Sequence, residues 1–251
     1  MMLRFAAPAL TALTLISGPV QALDLSAMSA DERDAFGVQV REYLLENPQV
    51  ILEAINLLEQ QQAAAESQAD LQLVQNNADE LFNDGYSWVG GNPEGDITLV
   101  EFMDYRCGYC RRAVPEVAKL LQADGNIRLV IKELPILGEA SVISSRFAVA
   151  AKQVGGDEAY KQVHDALLEF GGDATEVTLR RLSDGLGLET DAIFEAMNSD
   201  AVTEEIARTR ELAQKLNISG TPTFVLGTEL LRGFLPADQM QQIAAQVRDQ
   251  S

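Results

Sequence analysis

The sequence predicts an α/β protein in which a small βα core is followed by a helical insertion and completed by a β-hairpin and a helix. Three observations support this fold class. Strand, helix and strand patterns succeed one another between residues 97 and 137, helical periodicity dominates residues 139–216, and two short strand patterns flank Gly227 before a final helix. Because strand–helix–strand units usually pair their strands in parallel, we expect a sheet with at least one parallel pair.

The N-terminus has the composition of a secretory signal peptide. Arg4 precedes an apolar run over residues 5–16, small residues follow as far as Ala22, and charged residues begin abruptly at Asp24. The run is too short to span a bilayer. We therefore expect a signal peptide over residues 1–22 rather than a buried N-terminal helix. Export places the chain in an oxidising compartment, such as the periplasm, where a close cysteine pair persists as a disulfide.

The charge balance argues against two classes of partner. The 251-residue chain carries a formal net charge of −19 and has a pI near 4.3. Nucleic acid and anionic lipid are therefore not expected as partners. The length suffices for one large domain with an appendage.

Residues 23–75 are predicted to form an N-terminal helical region outside the main domain. Ser29 and Glu32 fit a capping box, and Asn47-Pro48 should break or kink the helix. Residues 60–75 are polar and predicted to be helical or flexible. An apolar residue recurs at every seventh position, at Leu44, Ile51, Leu58 and Ala65. This seam suits either an oligomerisation stalk or a helix packed on its own domain.

The main domain begins with a strand–helix–strand unit. Turn signals at residues 90–93 precede a buried, β-branched strand over residues 97–102. An amphipathic helix is predicted from Cys107 to about Asp124, and a second strand within residues 127–137.

The remainder of the chain is helical before it returns to the sheet. Residues 139–216 form a helical insertion with breaks at Gly155-Gly156 and Gly171-Gly172. A strand, a turn at Gly227, a second short strand and a helix from Pro236 complete the domain.

The two cysteines, Cys107 and Cys110, form a Cys-x-x-Cys pair that allows three interpretations: a metal site, a structural disulfide or a redox-active pair. A structural zinc site needs about four ligands, and the single histidine, His164, lies far away in a helical segment where we expect an ordinary helix-face residue. A Cu(I) site built from two thiolates remains an alternative. A structural disulfide closing so short a loop stabilises a fold poorly.

The third interpretation is a redox-active pair. Cys107 is predicted at a helix N-terminus, where unpaired amides favour a negative sulfur, and Cys110 lies one turn further on. Arg106, Arg111 and Arg112 either add positive charge around the pair or are solvated helix-end charges. An ionised Cys107 can exchange with a disulfide, and Cys110 can resolve the mixed disulfide.

At this point the chain resembles a known family, over about residues 85–250. The segments "FMDYRCGYC", "KELPIL" and "GTPTFV" are similar to those of the DsbA branch of thioredoxin-fold proteins. The resemblance implies a thioredoxin-like fold, a central mixed sheet flanked by helices, over residues 76–251, with the helical insertion and the N-terminal helical extension. It also implies that Thr221 and Pro222 form a cis-proline loop facing the cysteines, and that no organic cofactor is bound.

The same resemblance places a buried acid at Glu101, six residues before Cys107. A buried Glu101 would have a raised pKa and carry the proton of Cys110. The alternative is an outward-facing strand charge. Lys132 is a candidate for its buried counter-charge.

The dipeptide between the cysteines departs from the strongly oxidising members of the fold. Those members have Pro-His, whereas Gly108-Tyr109 is the dipeptide of the disulfide isomerase DsbC, and the N-terminal helices resemble the stalk of ScsC-like relatives. The expectation is a periplasmic isomerase or reductase that forms homo-oligomers, with exported proteins as substrates and a membrane protein as redox partner. The alternatives are a copper-binding or chaperone module and a monomeric oxidase.

Overall fold

The computed structural model describes residues 28–249, so the predicted signal peptide over residues 1–22 lies outside the described part of the chain. The chain divides into two compact units, one ending at Gln60 and the other beginning at Gln61. Within the described residues, none of the helices combines the length and the apolar character needed to cross a membrane.

The first helix, α1 (Ala30–Glu46), begins with the predicted capping box. The Ser29 side chain accepts a hydrogen bond from the Glu32 main-chain N–H, and the Glu32 carboxylate accepts one from the Ser29 N–H at 2.9 Å. Two of the amides that a helix N-terminus leaves unpaired are satisfied in this way.

The predicted break at Pro48 separates α1 from α2 (Gln49–Asn76). Asn47 ends α1 by donating its main-chain N–H to the Tyr43 carbonyl at 2.9 Å, and proline cannot continue the pattern. From Gln49 the helix runs without interruption to Asn76, so the polar residues 60–75 are helical.

The apolar seam is exposed in the unit that ends at Gln60. Two of its side chains, Ile51 and Leu58, and the neighbouring Ile55 are about half accessible to solvent. Isolated exposed apolar residues are common, but a row at helical spacing is typical of a contact surface.

The second unit contains a five-stranded mixed sheet, as the resemblance predicts. Its strands are β1 (Trp88–Gly91), β2 (Ile97–Met103), β3 (Ile127–Glu133), β4 (Thr223–Leu226) and β5 (Glu229–Arg232). The spatial order is β1-β3-β2-β4-β5. The β2–β3 pair is parallel, as expected for a βαβ unit, and the other pairs are antiparallel.

Strand β1 corrects the prediction of a turn at residues 90–93. Gly90 pairs with Leu129 and Gly91 with Arg128, so the strand continues through both glycines before the chain turns. The Trp88 ring covers Gly90, where an added Cβ would lie 2.1 Å from the ring. The glycine therefore makes room for a tryptophan and does not end the strand.

Helices pack on both faces of the sheet. Those of the second unit are α3 (Ala78–Phe82), α4 (Gly108–Asp124), α5 (Glu139–Glu169), α6 (Glu176–Gly185), α7 (Thr190–Ala196), α8 (Asp200–Lys215) and α9 (Ala237–Asp249). The predicted helical insertion is α5 to α8, and its predicted break lies at Gly156, which has a φ of 75°.

Strand β2 is buried on both faces because it lies at the centre of the sheet. Leu99 belongs to the apolar cluster beneath α4, α5 and α9, whereas its neighbour Val100 belongs to the cluster beneath α8. Successive side chains of a strand point to opposite faces. The β-branched, continuous apolar run of the sequence therefore becomes the core of two layers.

The register of β2 and β3 shows that the proposed pairing of Glu101 with Lys132 is wrong. Glu101 lies beside Ile131, and Lys132 lies beside Phe102, so the two charged side chains point to opposite faces of the sheet. Lys132 is fully buried and forms an ion pair with Asp84. It also donates to the Glu80 carbonyl at 2.7 Å.

We predict that Lys132→Ala destabilises the protein by about 3–5 kcal/mol, because it leaves the buried Asp84 carboxylate without its partner. The measurement is chemical denaturation followed by circular dichroism. Lys119→Ala is the matched control, since it removes an ion pair whose lysine side chain is 64% exposed; it should cost less than about 1 kcal/mol. Equal losses in the two variants would contradict the argument.

Candidate active site

The site is built around the start of α4, where Cys107 is the N-cap. The Cys107 N–H donates to the Asp104 carbonyl at 3.0 Å, which closes the turn between β2 and the helix. The Cys110 main-chain N–H donates to the Cys107 sulfur at 3.4 Å. The sulfur therefore occupies the position in which a helix accepts negative charge.

The cis-proline loop faces this sulfur. The Cys107 thiol donates to the Thr221 carbonyl at 3.2 Å, and the bond between Thr221 and Pro222 is cis, as the resemblance implies. The Gly233 N–H donates to the Pro222 carbonyl at 3.0 Å, which ties the loop to the end of β5. The structure thus brings together three of the residues that were selected from the sequence.

The two thiols differ in their surroundings. Cys107 is 6% exposed, whereas Cys110 is fully buried. Burial raises the pKa of the Cys110 thiol, and the neighbouring Cys107 and Glu101 raise it further. Cys107 is therefore the more accessible of the two cysteines.

Asp104 connects the cysteine loop to the loop after β3. Its buried carboxylate accepts the Arg106 N–H at 2.7 Å on one oxygen. The other oxygen accepts the N–H groups of Ile136 and Leu137 at 2.9 and 3.1 Å. The sequence pattern did not lead us to select this aspartate as a site residue, although an Asx turn just before a helix is a recognisable signal.

Two of the three arginines near the cysteines hold the main chain of the insertion. Arg106 donates to the Gly172 carbonyl at 2.8 Å, and Arg111 donates to the Phe170 carbonyl at 2.9 Å. These bonds attach the start of α4 to the segment that follows α5. The arginines therefore act as tethers between elements, a role the sequence did not indicate.

Apolar side chains are exposed beside the site. Tyr109 is 57% exposed, and its ring lies 5.4 Å from the Arg112 guanidinium, which also lies over Phe234 at 4.9 Å. Ile136 and Leu137, which Asp104 holds by their amides, are 41% and 52% exposed. Several exposed apolar side chains near one site are typical of a binding region.

Glu101 lies inside the domain and does not face outward. It is 7% exposed, and burial, with a smaller contribution from the charge of Glu133, raises its pKa to about 8. Near neutral pH this carboxyl is close to its midpoint of titration, as a proton carrier requires.

A second buried carboxylate, Glu133, lies on the same sheet face as Glu101. The parallel register places Glu133 beside Met103, two residues beyond Glu101. Glu133 accepts three hydroxyl hydrogen bonds, from Tyr105 at 2.6 Å, Tyr160 at 2.6 Å and Ser145 at 2.7 Å. Burial raises its pKa to about 7, and these three donors oppose the rise.

His164 is part of this network, whereas the sequence led us to expect an ordinary helix-face residue. It is 9% exposed, its Nδ1 lies 3.0 Å from the Tyr105 hydroxyl, and its ring stacks on Tyr160. Burial lowers its pKa to about 4, so the imidazole is neutral at pH 7. The i, i+4 spacing of Tyr160 and His164 was the available signal, since it places both on one face of a helix.

Among residues 28–249, no group of three or more histidine, cysteine, aspartate or glutamate residues is arranged to hold a metal ion.

Comparison with known families gives the class of protein. Residues 98–248 match the DSBA-like thioredoxin domain, and the chain belongs to that family. Residues 32–65 match the N-terminal domain of the copper resistance protein ScsC.

Solved structures agree with this class. A thioredoxin-like oxidoreductase from Silicibacter pomeroyi DSS-3 is 46% identical with a TM-score of 0.64, covering 68% of this chain and 97% of its own. BcfH from Salmonella enterica Typhimurium is 28% identical with a TM-score of 0.70, covering 87% of this chain and 96% of its own. A periplasmic thioredoxin-like protein from Salmonella enterica serovar Typhimurium is 26% identical with a TM-score of 0.60, covering 68% and 94%.

Several of the curated relatives are much longer than this chain. The Na(+)/H(+) antiporter NhaA 1 of Salinispora arenicola is 34% identical over 136 residues, which is 54% of this chain. The chain spans about a fifth of the length of that relative, since the match covers 21% of it.

We predict that Glu101→Gln stabilises the protein at alkaline pH. The ordinary pKa of this carboxyl is 4.5, and its folded value is about 8. Because the folded state holds the proton more tightly, the stability contributed by Glu101 falls as pH rises from about 4.5 through 8. Each pKa unit corresponds to about 1.4 kcal/mol. We therefore expect the free energy of unfolding of the variant to exceed that of the native protein by at least about 2 kcal/mol at pH 9.

The measurement is denaturant unfolding at pH 4, 7 and 9. The difference in the free energy of unfolding between Glu101→Gln and the native protein should disappear near pH 4, where the side chain at position 101 is largely uncharged in both proteins. Glu94→Gln, at an exposed position, is the control and should follow the native profile. Parallel profiles for all three proteins would show that Glu101 is not titrating between these values.

Proposed function

We propose that this protein is a thiol–disulfide oxidoreductase in which Cys107 is the nucleophile and Cys110 the resolving thiol. The observation that carries the proposal is the position of the Cys107 sulfur, between the Cys110 N–H and the Thr221 carbonyl. In this arrangement the sulfur lies at a helix N-terminus and faces the Thr221–Pro222 loop. Membership of the DSBA-like thioredoxin family supports the same chemistry.

In the reducing direction, the Cys107 thiolate attacks one sulfur of a substrate disulfide. A bond forms between Cys107 and that sulfur, and the other substrate sulfur leaves as a thiolate. Cys110 then loses its proton and attacks Cys107, which releases the second substrate thiolate and forms the Cys107–Cys110 disulfide. The substrate gains two electrons and the enzyme loses two; oxidation of a substrate dithiol is the reverse.

Glu101 is proposed as the carrier of the Cys110 proton. The resolving thiol is buried and its pKa is raised, so it needs a nearby base to become nucleophilic. Glu101 raises the pKa of Cys110 through its charge, and it lies on β2, the strand that leads to the cysteine loop. In the reverse direction, protonated Glu101 returns the proton to Cys110 as it leaves.

The Thr221–Pro222 loop is proposed as the substrate platform. The Thr221 carbonyl already accepts a hydrogen bond from Cys107, so a substrate strand that lies along the loop places its sulfur near the nucleophile. The exposed Tyr109, Ile136 and Leu137 favour an extended substrate with apolar side chains. An unfolded or partly folded exported protein has this character.

The proposed compartment is the periplasm, with a membrane protein as redox partner. The composition of residues 1–22 supports export. Similarity to a periplasmic thioredoxin-like protein of Salmonella enterica supports the same location.

Within this class we favour isomerase or reductase activity by a homo-oligomer over a monomeric oxidase. Gly108-Tyr109 between the cysteines supplies no imidazolium to stabilise the thiolate, which makes a weaker oxidant. The exposed seam of α1 and α2 offers a surface for self-association, and this region matches the N-terminal domain of ScsC. Several sites on one oligomer can hold a misfolded chain while its disulfides exchange.

We predict that Cys107→Ala reduces insulin reduction to the uncatalysed background, because no other described cysteine can form the first mixed disulfide. Cys110→Ala should retain the first step and accumulate a mixed disulfide on Cys107, visible by non-reducing electrophoresis and mass spectrometry. Full activity in Cys107→Ala would contradict the proposal.

A Cu(I) titration of the same variants tests the second candidate function. The copper resistance protein named in the match to residues 32–65 is the observation that favours copper binding. Two results together would favour a copper-binding module over an enzyme. The native protein would bind Cu(I) tightly without reducing insulin, and both cysteine variants would lose the Cu(I) binding.

We predict that the double variant Ile51→Lys/Leu58→Lys reduces the protein to single chains, because it places charges in the seam. Light scattering coupled to gel filtration measures the mass, and scrambled ribonuclease refolding should fall while insulin reduction is kept. Gln60→Lys/Gln61→Lys, at exposed polar positions of the same helix, is the charge-matched control. A native protein that is already a single chain would refute both the stalk and the isomerase preference.

A further inference from the structure

The third arginine near the cysteines, Arg112, is held between two aromatic rings. Its Cζ atom lies 5.4 Å from the centre of the Tyr109 ring and 4.9 Å from the centre of the Phe234 ring. A guanidinium over the face of an aromatic ring is attracted by the negative charge of that face. The two rings therefore restrict a side chain that would otherwise sample many rotamers.

These three side chains connect the two halves of the site. Tyr109 lies between the cysteines, in the first turn of α4. Phe234 directly follows Gly233, whose N–H donates to the Pro222 carbonyl at 3.0 Å. The Arg112 guanidinium therefore lies between the cysteine helix and the segment that supports the proline loop, beside the path proposed for the substrate.

We propose that Arg112 is a specificity-determining residue that binds an acidic side chain of the substrate near the substrate's reacting cysteine. The inference rests on the proposed function, since it concerns the polypeptide that exchanges its sulfur with Cys107. It adds the chemical class of that polypeptide: an extended segment in which an aspartate or glutamate lies within a few residues of the cysteine.

The first argument is that the hydrogen-bond donors of Arg112 are unused. Arg112 is exposed, and among residues 28–249 it forms no hydrogen bond and no ion pair. A guanidinium has five N–H donors and binds a carboxylate through two parallel hydrogen bonds. Because a cation–π contact uses none of these donors, all five remain available to a carboxylate from outside this part of the chain.

The second argument is that the acid next to Arg112 on α4 is already occupied. Glu116 lies at the i, i+4 spacing from Arg112 at which an ion pair can form. Its carboxylate instead accepts hydrogen bonds from the Lys119 ammonium at 2.6 Å and from the Ala237 N–H at 3.0 Å. The second of these bonds satisfies the first amide of α9. Glu116 therefore does not compensate the charge of Arg112.

The third argument is the charge around the cysteines, which is opposite to that of the whole chain. The chain carries a formal net charge of −19. Arg106 and Arg111 nevertheless donate to main-chain carbonyls, which have no net charge. Asp104, the acid of the same loop, is fully buried, and its carboxylate accepts three main-chain N–H groups.

Salt limits the influence of the more distant acids. Charges separated by more than about 8–10 Å are largely screened at physiological ionic strength. A substrate at the site therefore interacts mainly with the local arginines, and a negative group is complementary to them.

The test measures how fast Cys107 attacks peptides that differ in one side chain. Each peptide is capped at both ends and carries one cysteine as a mixed disulfide with a pyridine thiol. The peptides form pairs in which glutamate or glutamine occupies the same position, and the pairs cover the three positions on either side of the cysteine. The reduced protein is mixed with each peptide in a stopped-flow instrument.

The reaction reports on the first step alone. The Cys107 thiolate forms a bond with the peptide sulfur, the bond between the peptide sulfur and the pyridine sulfur breaks, and pyridine-2-thione leaves with the electron pair. Its absorbance gives the rate. The ratio of the rates for the two members of a pair cancels any effect of Arg112 on the reactivity of Cys107 itself.

At one position or more, the native protein should react about fivefold faster with the glutamate peptide, as expected for a good ion pair at an exposed site. Arg112→Gln should bring this ratio to about 1, and Arg112→Lys, which keeps the charge and loses the planar fork, should give an intermediate ratio. Arg181→Gln is the matched control and should keep the native ratio. Arg181 is an exposed arginine of α6 that also forms no ion pair within the described residues.

Two results would overturn the proposal: equal rates for the members of every pair in the native protein, or a glutamate preference that survives in correctly folded Arg112→Gln. Both results leave the proposed function intact, because the peptides still react with Cys107. A native protein that releases pyridine-2-thione no faster than Cys107→Ala would instead refute the proposed function.

Charge reversal supplies a second, independent readout. Arg112→Glu should react faster with a peptide that carries lysine at the selected position than with the glutamate peptide, the reverse of the native order. In the native protein, the glutamate preference should fall when the salt concentration is raised, because salt screens exposed ion pairs. A glutamate preference that persists in Arg112→Glu, or that salt leaves unchanged, would show that the charge of Arg112 does not select the substrate.

Discussion

The site depends on the two hydrogen bonds of the Cys107 sulfur. One comes from the Cys110 amide at the start of α4, and the other goes to the Thr221 carbonyl, 114 residues away in the chain. The first places the sulfur against the unpaired amides of a helix N-terminus, where negative charge is stabilised. The second holds the Thr221–Pro222 loop at hydrogen-bonding distance from this sulfur. The spacing of the two cysteines alone would not place a sulfur at a helix N-terminus and opposite the Thr221 carbonyl.

Behind the cysteines, one face of the sheet carries two buried acids, a combination that is unfavourable unless at least one is neutral or well paired. Glu133 is paired, since it accepts bonds from Tyr105, Tyr160 and Ser145. Glu101 has no hydrogen-bonded partner among residues 28–249, and burial and the nearby charge of Glu133 raise its pKa. The two carboxyls therefore differ: Glu133 joins the insertion to the sheet, whereas Glu101 is held by no hydrogen bond from that part of the chain.

Features determined by neighbouring residues were predictable. The break at Pro48, the kink at Gly156 and the cap at Ser29 each follow from local backbone chemistry. Errors arose where pairing between strands decided the outcome. Gly90 has the local character of a turn but lies in a strand because it pairs with Leu129 of β3. Lys132 was assigned to the wrong partner because periodicity does not reveal the register of two strands.

The sequence by itself determined most of the secondary elements apart from β1, the cysteine pair at a helix start and, through a family resemblance, the proline loop opposite it. Only the tertiary structure decided that Asp104 joins the cysteine loop to the loop after β3, that His164 lies inside a hydroxyl and carboxylate network, and that Glu101 borders a cavity. The physical reason is that helical and strand periods record which face of an element is apolar. They do not record which faces meet, and each of these contacts joins elements that are far apart in the chain.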